Sequence, residues 1–412
     1  MLTPVLNRKS IIHFFPWLAF LTLIAILPVA FLYEKGGRVL FYYCAYFSLI
    51  GMAVEFWRKN KVQLTDRKAL AMLMLGIVYV GWSLYAQYHP HTQDDQYYTA
   101  GKRCILAFII LSYIFHLYRT KFFNKSLIIK LSILSLALAF ITSSSFAIYQ
   151  SITSSERIVL GINRATLTAY AYSAVTLALI MLILKSADTR LKKVYFLFVS
   201  IVSLYVIMLT QTRSAMVIHT LFLAYMMFRL FSTTRNVKFL GCVAILMFVA
   251  AGLSYKVIEG RLESTVNEYH DYEQGNDKTS LGSRFTMWKT GVMAFERAPL
   301  GQTQYERNNF ITTYLNEHNQ SDSWALIYIN VHLHNEFIQF ASLFGVIGIV
   351  VLLYFFYTFI VAEFRRYRCV TPTAVAGMAI LLYGMTDVVM ISVEFISIFS
   401  VLVALLSLVE ES

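Results

Sequence analysis

The chain has 412 residues, 58% of them hydrophobic and only 14% charged, with a mean hydropathy of +0.60. A soluble domain carries about a quarter of its residues as charges, so this composition excludes an ordinary water-soluble fold. The net charge of +12 invites a nucleic-acid reading, but its distribution follows membrane topology instead, and no nucleic-acid partner is expected.

The apolar residues recur in runs of roughly 18–24, the length that crosses a ~30 Å hydrocarbon core as a helix. β-Barrel spans would be shorter and would alternate. The expected fold is an all-α polytopic membrane protein, a single membrane domain over 1–412. The first run, Ile11 to Leu32, is long, contains Pro16 and Pro28, and lacks a small-residue cleavage site. It reads as a first span, not a signal peptide. Hydropathy gives about twelve spans: 11–32, 38–57, 69–88, 103–118, 127–149, 165–184, 191–210, 213–231, 238–256, 334–361, 371–388 and 391–409.

Every second connection is basic. Arg8 and Lys9 precede the first span, and Arg58, Lys59, Lys61, Arg67 and Lys68 follow the second. Then come Arg119, Lys121 and Lys125; Lys185, Arg190, Lys192 and Lys193; Arg229, Arg235 and Lys238; and Arg365, Arg366 and Arg368. The positive-inside rule makes these clusters and both termini cytoplasmic. Segments 89–102, 150–164, the turn at 210–213 and the long loop 257–333 then face away from the cytoplasm. A loop this long is normally functional. Ser280 to Arg297 reads as an amphipathic helix with Phe285, Trp288, Val292 and Phe295 on one side, stopped by Pro299-Leu300-Gly301. A second helix is expected from Gln304 to Asn316, with Phe310 and Tyr314 together.

The cysteines Cys44, Cys104, Cys242 and Cys369 are scattered singly, so neither a disulfide framework nor a CxxC metal site is indicated. No P-loop, no GxGxxG after a strand and no Asp-rich metal motif occurs. Chemistry on the outward side therefore needs a substrate that arrives already activated.

Three outward positions stand out. Arg213, within Thr210-Gln211-Thr212-Arg213-Ser214, lies at a span end, where an arginine is either a snorkelling side chain or an anion site. Arg284 sits in the first turn of the loop helix. There a cation opposes the helix dipole unless a bound phosphate draws guanidinium and N–H groups together; otherwise it is a solvated arginine. His334, in His332-Leu333-His334-Asn335-Glu336, is either a helix-start residue bonded to a loop carbonyl or a base for a hydroxyl near neutral pH. Two histidines two apart would point to different faces of a helix, and no third ligand is evident nearby, so no metal is expected. Lesser candidates are Arg157, Arg164, His89, His91, Asp387, Glu394 and the in-span His219, each readable as a local hydrogen-bonding residue.

Three segments, in this order, resemble the O-antigen ligase/polymerase family of bacterial surface-polysaccharide enzymes. They are Thr210-Gln211-Thr212-Arg213-Ser214; Ser283-Arg284-Phe285-Thr286-Met287-Trp288 leading to Pro299-Leu300-Gly301; and His334-Asn335-Glu336-Phe337-Ile338-Gln339-Phe340 running into Leu343-Phe344-Gly345-Val346-Ile347-Gly348. The layout of about twelve spans with one large loop between the ninth and tenth is most similar to enterobacterial lipopolysaccharide O-antigen ligases. Gln302-Thr303 departs from the more glycine-rich turn of relatives. The resemblance implies a GT-C-like glycosyltransferase architecture in the bacterial inner membrane, with a periplasmic active site. It also implies an inverting, metal- and ATP-independent transfer, with no cofactor, from an undecaprenyl-diphosphate-linked O-antigen donor to a lipid A–core acceptor. Arg213 and Arg284, with Arg164 as a lesser partner, would hold the diphosphate, and His334 would activate the acceptor hydroxyl. An O-antigen polymerase shares the donor chemistry but commonly has two large loops. A lipid-linked glycan transporter would show repeated halves around a polar pathway.

Overall fold

The computed structural model describes residues 8–60, 62, 64–88, 95–154, 156–186, 190–234, 241 and 255–411. The expected ninth span, 238–256, lies almost wholly outside these residues, as do His89, His91, Lys61, Arg235, Lys238 and Cys242.

Among the described residues the chain is helical. In order come α1 (Arg8–Leu32), α2 (Glu34–Trp57), α3 (Arg67–Gln87), α4 (Asp95–Arg119), α5 (Lys125–Thr153), a 3₁₀ turn at Leu160–Ile162, α6 (Ala165–Lys185), α7 (Arg190–Leu209) and α8 (Arg213–Thr234). After the interruption follow α9 (Tyr255–Glu273), α10 (Ser280–Arg297), α11 (Gln304–Glu317), α12 (Ala325–Tyr328) and α13 (Glu336–Phe356). A π-helical turn at Tyr357–Val361 leads into α14 (Ala362–Tyr367), then α15 (Pro372–Gly384) and α16 (Val393–Glu410). Ten described helices are long and apolar enough to cross a membrane, while Pro372–Gly384 is shorter. The chain is thus a polytopic α-helical membrane protein.

Among the boundaries that differ from those read in the sequence, three matter here. The fourth span is 24 residues, Gln96–Arg119, because Lys102 and Arg103 continue the helix instead of ending it. Lys102 does so over the Tyr98 ring and Arg103 over the Tyr42 ring, so both cations are accommodated by cation–π contacts. The span expected from 334 begins at Glu336, and the one expected to reach 388 stops at Gly384. Both shortenings free loop residues that build the site below.

α6 and α16 are the central helices: 83% and 78% of their apolar windows are buried, against 39–50% for every span except α4. The outer helices turn large apolar side chains outward, among them Leu49, Ile77, Leu134, Val194 and Ile347. In water these would be a liability; against hydrocarbon they are the solvated surface. At the end carrying the basic connections, Lys68 Nζ lies 3.1 Å from Glu363 Oε1 and 3.8 Å from Glu410 Oε2. These buried charges satisfy one another and tie α3, α14 and α16 together.

At the opposite end, α9 to α12 form a cap between α8 and α13. α10 spans Ser280–Arg297, as its periodicity predicts, and Thr279 caps it by accepting from Gly282 N at 3.0 Å. Its buried face is not the expected aromatic one. Ser283, Met287, Thr290, Gly291 and Ala294 go inward, while Val292 is exposed and Phe285, Trp288 and Phe295 are half-buried. Small residues win because α10 lies against Leu333 and Ile338, and a Cβ at Gly291 would come within 2.5 Å of Ile338. Met287, Ile311, Leu315, Ala325, Ile329 and Leu333 form a separate small apolar cluster inside the cap.

Candidate functional site

The site lies where the loop before α13 meets the turn at 385–392. His334 has φ +51, a left-handed conformation that ends the preceding chain sharply before the helix begins. Asn335 caps α13, its Oδ1 accepting from Phe337 N at 3.0 Å and Ile338 N at 3.1 Å. Its Nδ2 donates to Met385 O at 2.9 Å, reaching the facing turn. Glu336, fully buried, accepts from Val389 N at 2.6 Å and Met390 N at 3.1 Å through Oε2. All three residues of His334-Asn335-Glu336 therefore reach across the gap to the facing turn, and Asn335 starts the helix as well.

Held this way, His334 Nδ1–H donates to Asp387 Oδ1 at 3.1 Å. His332 Nε2 lies 3.8 Å from the same oxygen, and the two imidazole rings are 4.3 Å apart, edge to face. Trp288 Nε1–H donates to His334 O at 3.2 Å, anchoring the loop to α10. Burial opposes ionisation of Asp387, but the His334 hydrogen bond and the charges of His332, His334 and Arg284 outweigh it, leaving the carboxyl below its ordinary value. His332 is pushed down to about 4, chiefly by burial; the Asp387 charge works against this, while His334, Arg284 and Arg164 add to it. His332 is neutral at neutral pH, and its Nδ1 accepts from His334 N at 3.3 Å.

The arginines approach from three other elements. Arg284 on α10 is half-buried, and its charge acts on both Asp387 and His332. Arg164, exposed at the start of α6, acts on His332 as well. Arg213 opens α8, with its Nη2 2.5 Å from Glu268 Oε1 on α9. Glu268 Oε2 in turn accepts from Leu281 N at 2.8 Å on α10, so one carboxylate bridges Arg213 to the helix carrying Arg284. Ser214 Oγ lies 2.9 Å from Tyr170 OH on α6. The structure thus brings Arg284, Arg164, His332, His334 and Asp387 to one locus, and connects Arg213 to it through Glu268 and the Ser214–Tyr170 contact.

The remaining candidates are structural. Arg157 donates from Nε to Thr210 O and from Nη2 to Thr212 Oγ1, both at 3.0 Å, and so supports the turn before Arg213. Glu394 pairs with Arg38 at 3.0 Å, and both ring nitrogens of His219 meet serine hydroxyls, Ser173 at 2.8 Å and Ser203 at 3.1 Å.

The structure nevertheless gathers a donor set that the sequence did not suggest. His332 and His334 lie in a loop rather than on a helix, both face Asp387, and one ligand atom from each residue falls within 4.8 Å of the others. These three side chains could hold a divalent cation. Asp387, a lesser candidate in the sequence, could not be recognised there as the third partner because it lies 53 residues downstream of His334.

Supporting residues that the sequence did not single out are Tyr170, Glu268 and Arg307. Arg307 is fully buried and donates to Gln339 Oε1 at 3.1 Å and Ile329 O at 2.7 Å. Gln339 Oε1 also accepts from Leu333 N at 2.9 Å, so Gln339 fixes the loop that presents the histidines. The Pro299-Leu300-Gly301 and Leu343-Phe344-Gly345 segments prove to be two halves of one joint. Val346 N donates to Pro299 O at 2.9 Å and Gln302 N donates to Leu343 O at 3.0 Å. Gly345, at φ +62 and ψ −153, kinks α13 there, and a Cβ on it would fall 2.3 Å from Pro299 O. Gln302, the departure from the glycine-rich turn, is itself engaged: its Nε2 donates to Ala294 O and Ser342 O, both at 2.9 Å.

The fold defines a polytopic membrane protein, and residues 198–353 match the family model described as O-antigen ligase. Among its relatives, the O-antigen ligase of Escherichia coli K12 is 28% identical over 228 residues, 54% of this chain and 54% of the relative. The alignment thus spans about half the length of that relative. The matched family segment holds Arg213, Arg284 and His334, whereas Arg164 and Asp387 fall outside it.

Proposed function

We propose that this chain transfers a glycan from an undecaprenyl-diphosphate-linked O-antigen donor to a sugar hydroxyl of lipid A–core, on the periplasmic face of the bacterial inner membrane. The observation that carries this reading is the His334–Asp387 pair among several arginines at one end of a membrane bundle. A histidine held by a carboxylate through Nδ1–H presents its Nε2 lone pair to a hydroxyl. In the proposed step Nε2 takes the acceptor hydroxyl proton, and the oxygen attacks the anomeric carbon. The bond from that carbon to the diphosphate oxygen breaks, the configuration inverts, and the diphosphate leaves on its lipid. Arg213 and Arg284, with Arg164 nearby, offset the charge that grows on the leaving group, a task suited to planar guanidinium forks. No ATP enters, because the donor diphosphate is itself the activated leaving group, and in the proposed step the guanidinium groups offset its charge in place of a metal.

The orientation is read from the basic connections, which among the described residues lie at the end away from the site and which the positive-inside rule assigns to the cytoplasm. The periplasmic cap is then the polar region 257–333.

The test is reconstitution of purified protein with lipid-linked O-antigen and lipid A–core in detergent containing a chelator and no nucleotide. Transfer is expected, and Arg213→Ala or Arg284→Ala should each slow it by about 10²–10³-fold. Normal transfer by a folded Arg213→Ala protein would remove the assignment. In a deletion strain, bare core on lipopolysaccharide gels is expected, whereas core bearing a single repeat would indicate a polymerase.

A further inference from the structure

The cap contains a concavity that the transfer step does not use. It is a cleft of about 360 Å³ between the end of α9, one face of α10, and α11 with the turn after it. Three rings line it, Tyr269, Tyr272 and Tyr314, interleaved with Glu273, Lys289 and Gln320. Tyr269 is 47% exposed, and Lys289 is exposed as well. Tyr272 is braced against Phe285 with ring centroids 5.1 Å apart, and Tyr314 stacks on His318 at 4.1 Å, so these two faces are held in place without a ligand.

The lining selects among ligand classes. Leu315 is its one aliphatic side chain, which leaves no trough for an acyl or prenyl tail. Glu273 and Asp277 outnumber Lys289, which disfavours a phosphate or diphosphate. Aromatic faces interspersed with carboxylate, ammonium and amide groups suit a ligand with apolar C–H faces and a rim of hydroxyls, which is a chain of pyranose rings. The position fits too. On α10, Thr286 and Thr290 line the cleft, and they lie about 200–240° around the helix from Arg284. The cleft is therefore across a helix, about 10 Å thick, from the reacting groups.

We propose that this cleft is an oligosaccharide-binding subsite that holds sugars remote from the bond being formed. The inference rests on the glycan-transfer reading for its substrate, but makes a separate claim about binding. The O-antigen glycan and the core oligosaccharide share the required chemistry.

The experiment uses the full-length protein in detergent and two probes, O-antigen oligosaccharide released from its lipid by mild acid and core oligosaccharide released likewise from lipid A. Saturation-transfer NMR and calorimetry measure binding. The wild type should bind one or both, with the responding probe identifying which glycan occupies the cleft. Tyr269→Ala and Lys289→Ala, both surface changes, should each weaken that binding, and Tyr272→Ala should weaken it by about tenfold. In transfer assays the same variants should raise KM for the responding substrate while kcat stays within about twofold. Failure of the wild type to bind either probe, or wild-type binding by all three variants, overturns the proposal. His334→Ala separates the two readings: it should bind the probe as the wild type does yet transfer nothing.

Discussion

With its Nδ1–H engaged by Asp387, His334 has one tautomer that matters, and a single carboxylate oxygen sets it. Asp387→Asn keeps the shape but can present its amide to the ring and reverse the tautomer. Transfer should fall by about 10²–10⁴-fold, with donor binding retained, in single-turnover assays. The same geometry makes a prediction about metals. A cation on His332, His334 and Asp387 would occupy His334 Nδ1 and force the proton onto Nε2, which could then no longer accept one from a hydroxyl. Chelators should leave the initial rate unchanged and added Zn²⁺ should lower it; a rate that rises with Zn²⁺ and collapses with chelator would refute the metal-free step. Arg213 and His334 could be picked out from the sequence because charged or titratable groups beside apolar runs are conspicuous, whereas Arg284, in the polar loop, gained its role only from the family resemblance. Asp387 as the partner of His334 could not be picked out, since nothing local records which distant turn Asn335 and Glu336 capture.

At the scale of elements, the joint between Pro299 and Gly345 decides how the cap sits on α13. Gly345 occupies a region of backbone space that is essentially closed to other residues, at a cost of order 1–3 kcal/mol, before its contact with Pro299 O is considered. Gly345→Ala should therefore lower the melting temperature of the purified protein and raise protease cleavage within the cap; unchanged melting and cleavage would show the joint to be dispensable. Sequence periodicity found α10 because its apolar residues recur at helical spacing and Pro299-Leu300-Gly301 stops it, and it found the second cap helix to within a residue at its end. It misjudged which face of α10 is buried. Hydrophobicity favoured Phe285 and Trp288, but close approach to α13 requires Gly291 and its small neighbours. Packing distance overrode hydrophobic pattern, and no moment computed along one helix contains that distance.

Across the whole molecule, the class of fold was plain in the sequence because hydropathy acts over some twenty residues at a time, and a few misjudged residues cannot hide a span. Sidedness comes from the same alternation of basic connections and can be tested directly. In a background lacking the native cysteines, Asn319→Cys at the exposed tip after α11 should react with a membrane-impermeant maleimide in cells with a permeabilised outer membrane. Lys121→Cys, in the exposed connection after α4, should react only after the inner membrane is opened. The reverse pattern would put the cap in the cytoplasm.

The ion pair between Arg213 and Glu268 has a further meaning for turnover. When no donor is bound, that guanidinium already has an anionic companion supplied by the cap. On the proposed reading, an incoming diphosphate would have to displace an internal rival, so weakly charged solutes would gain little hold at this position. Once the glycan had gone, the same carboxylate would reclaim the arginine and help eject the spent lipid, so that loading and unloading would become two halves of one exchange.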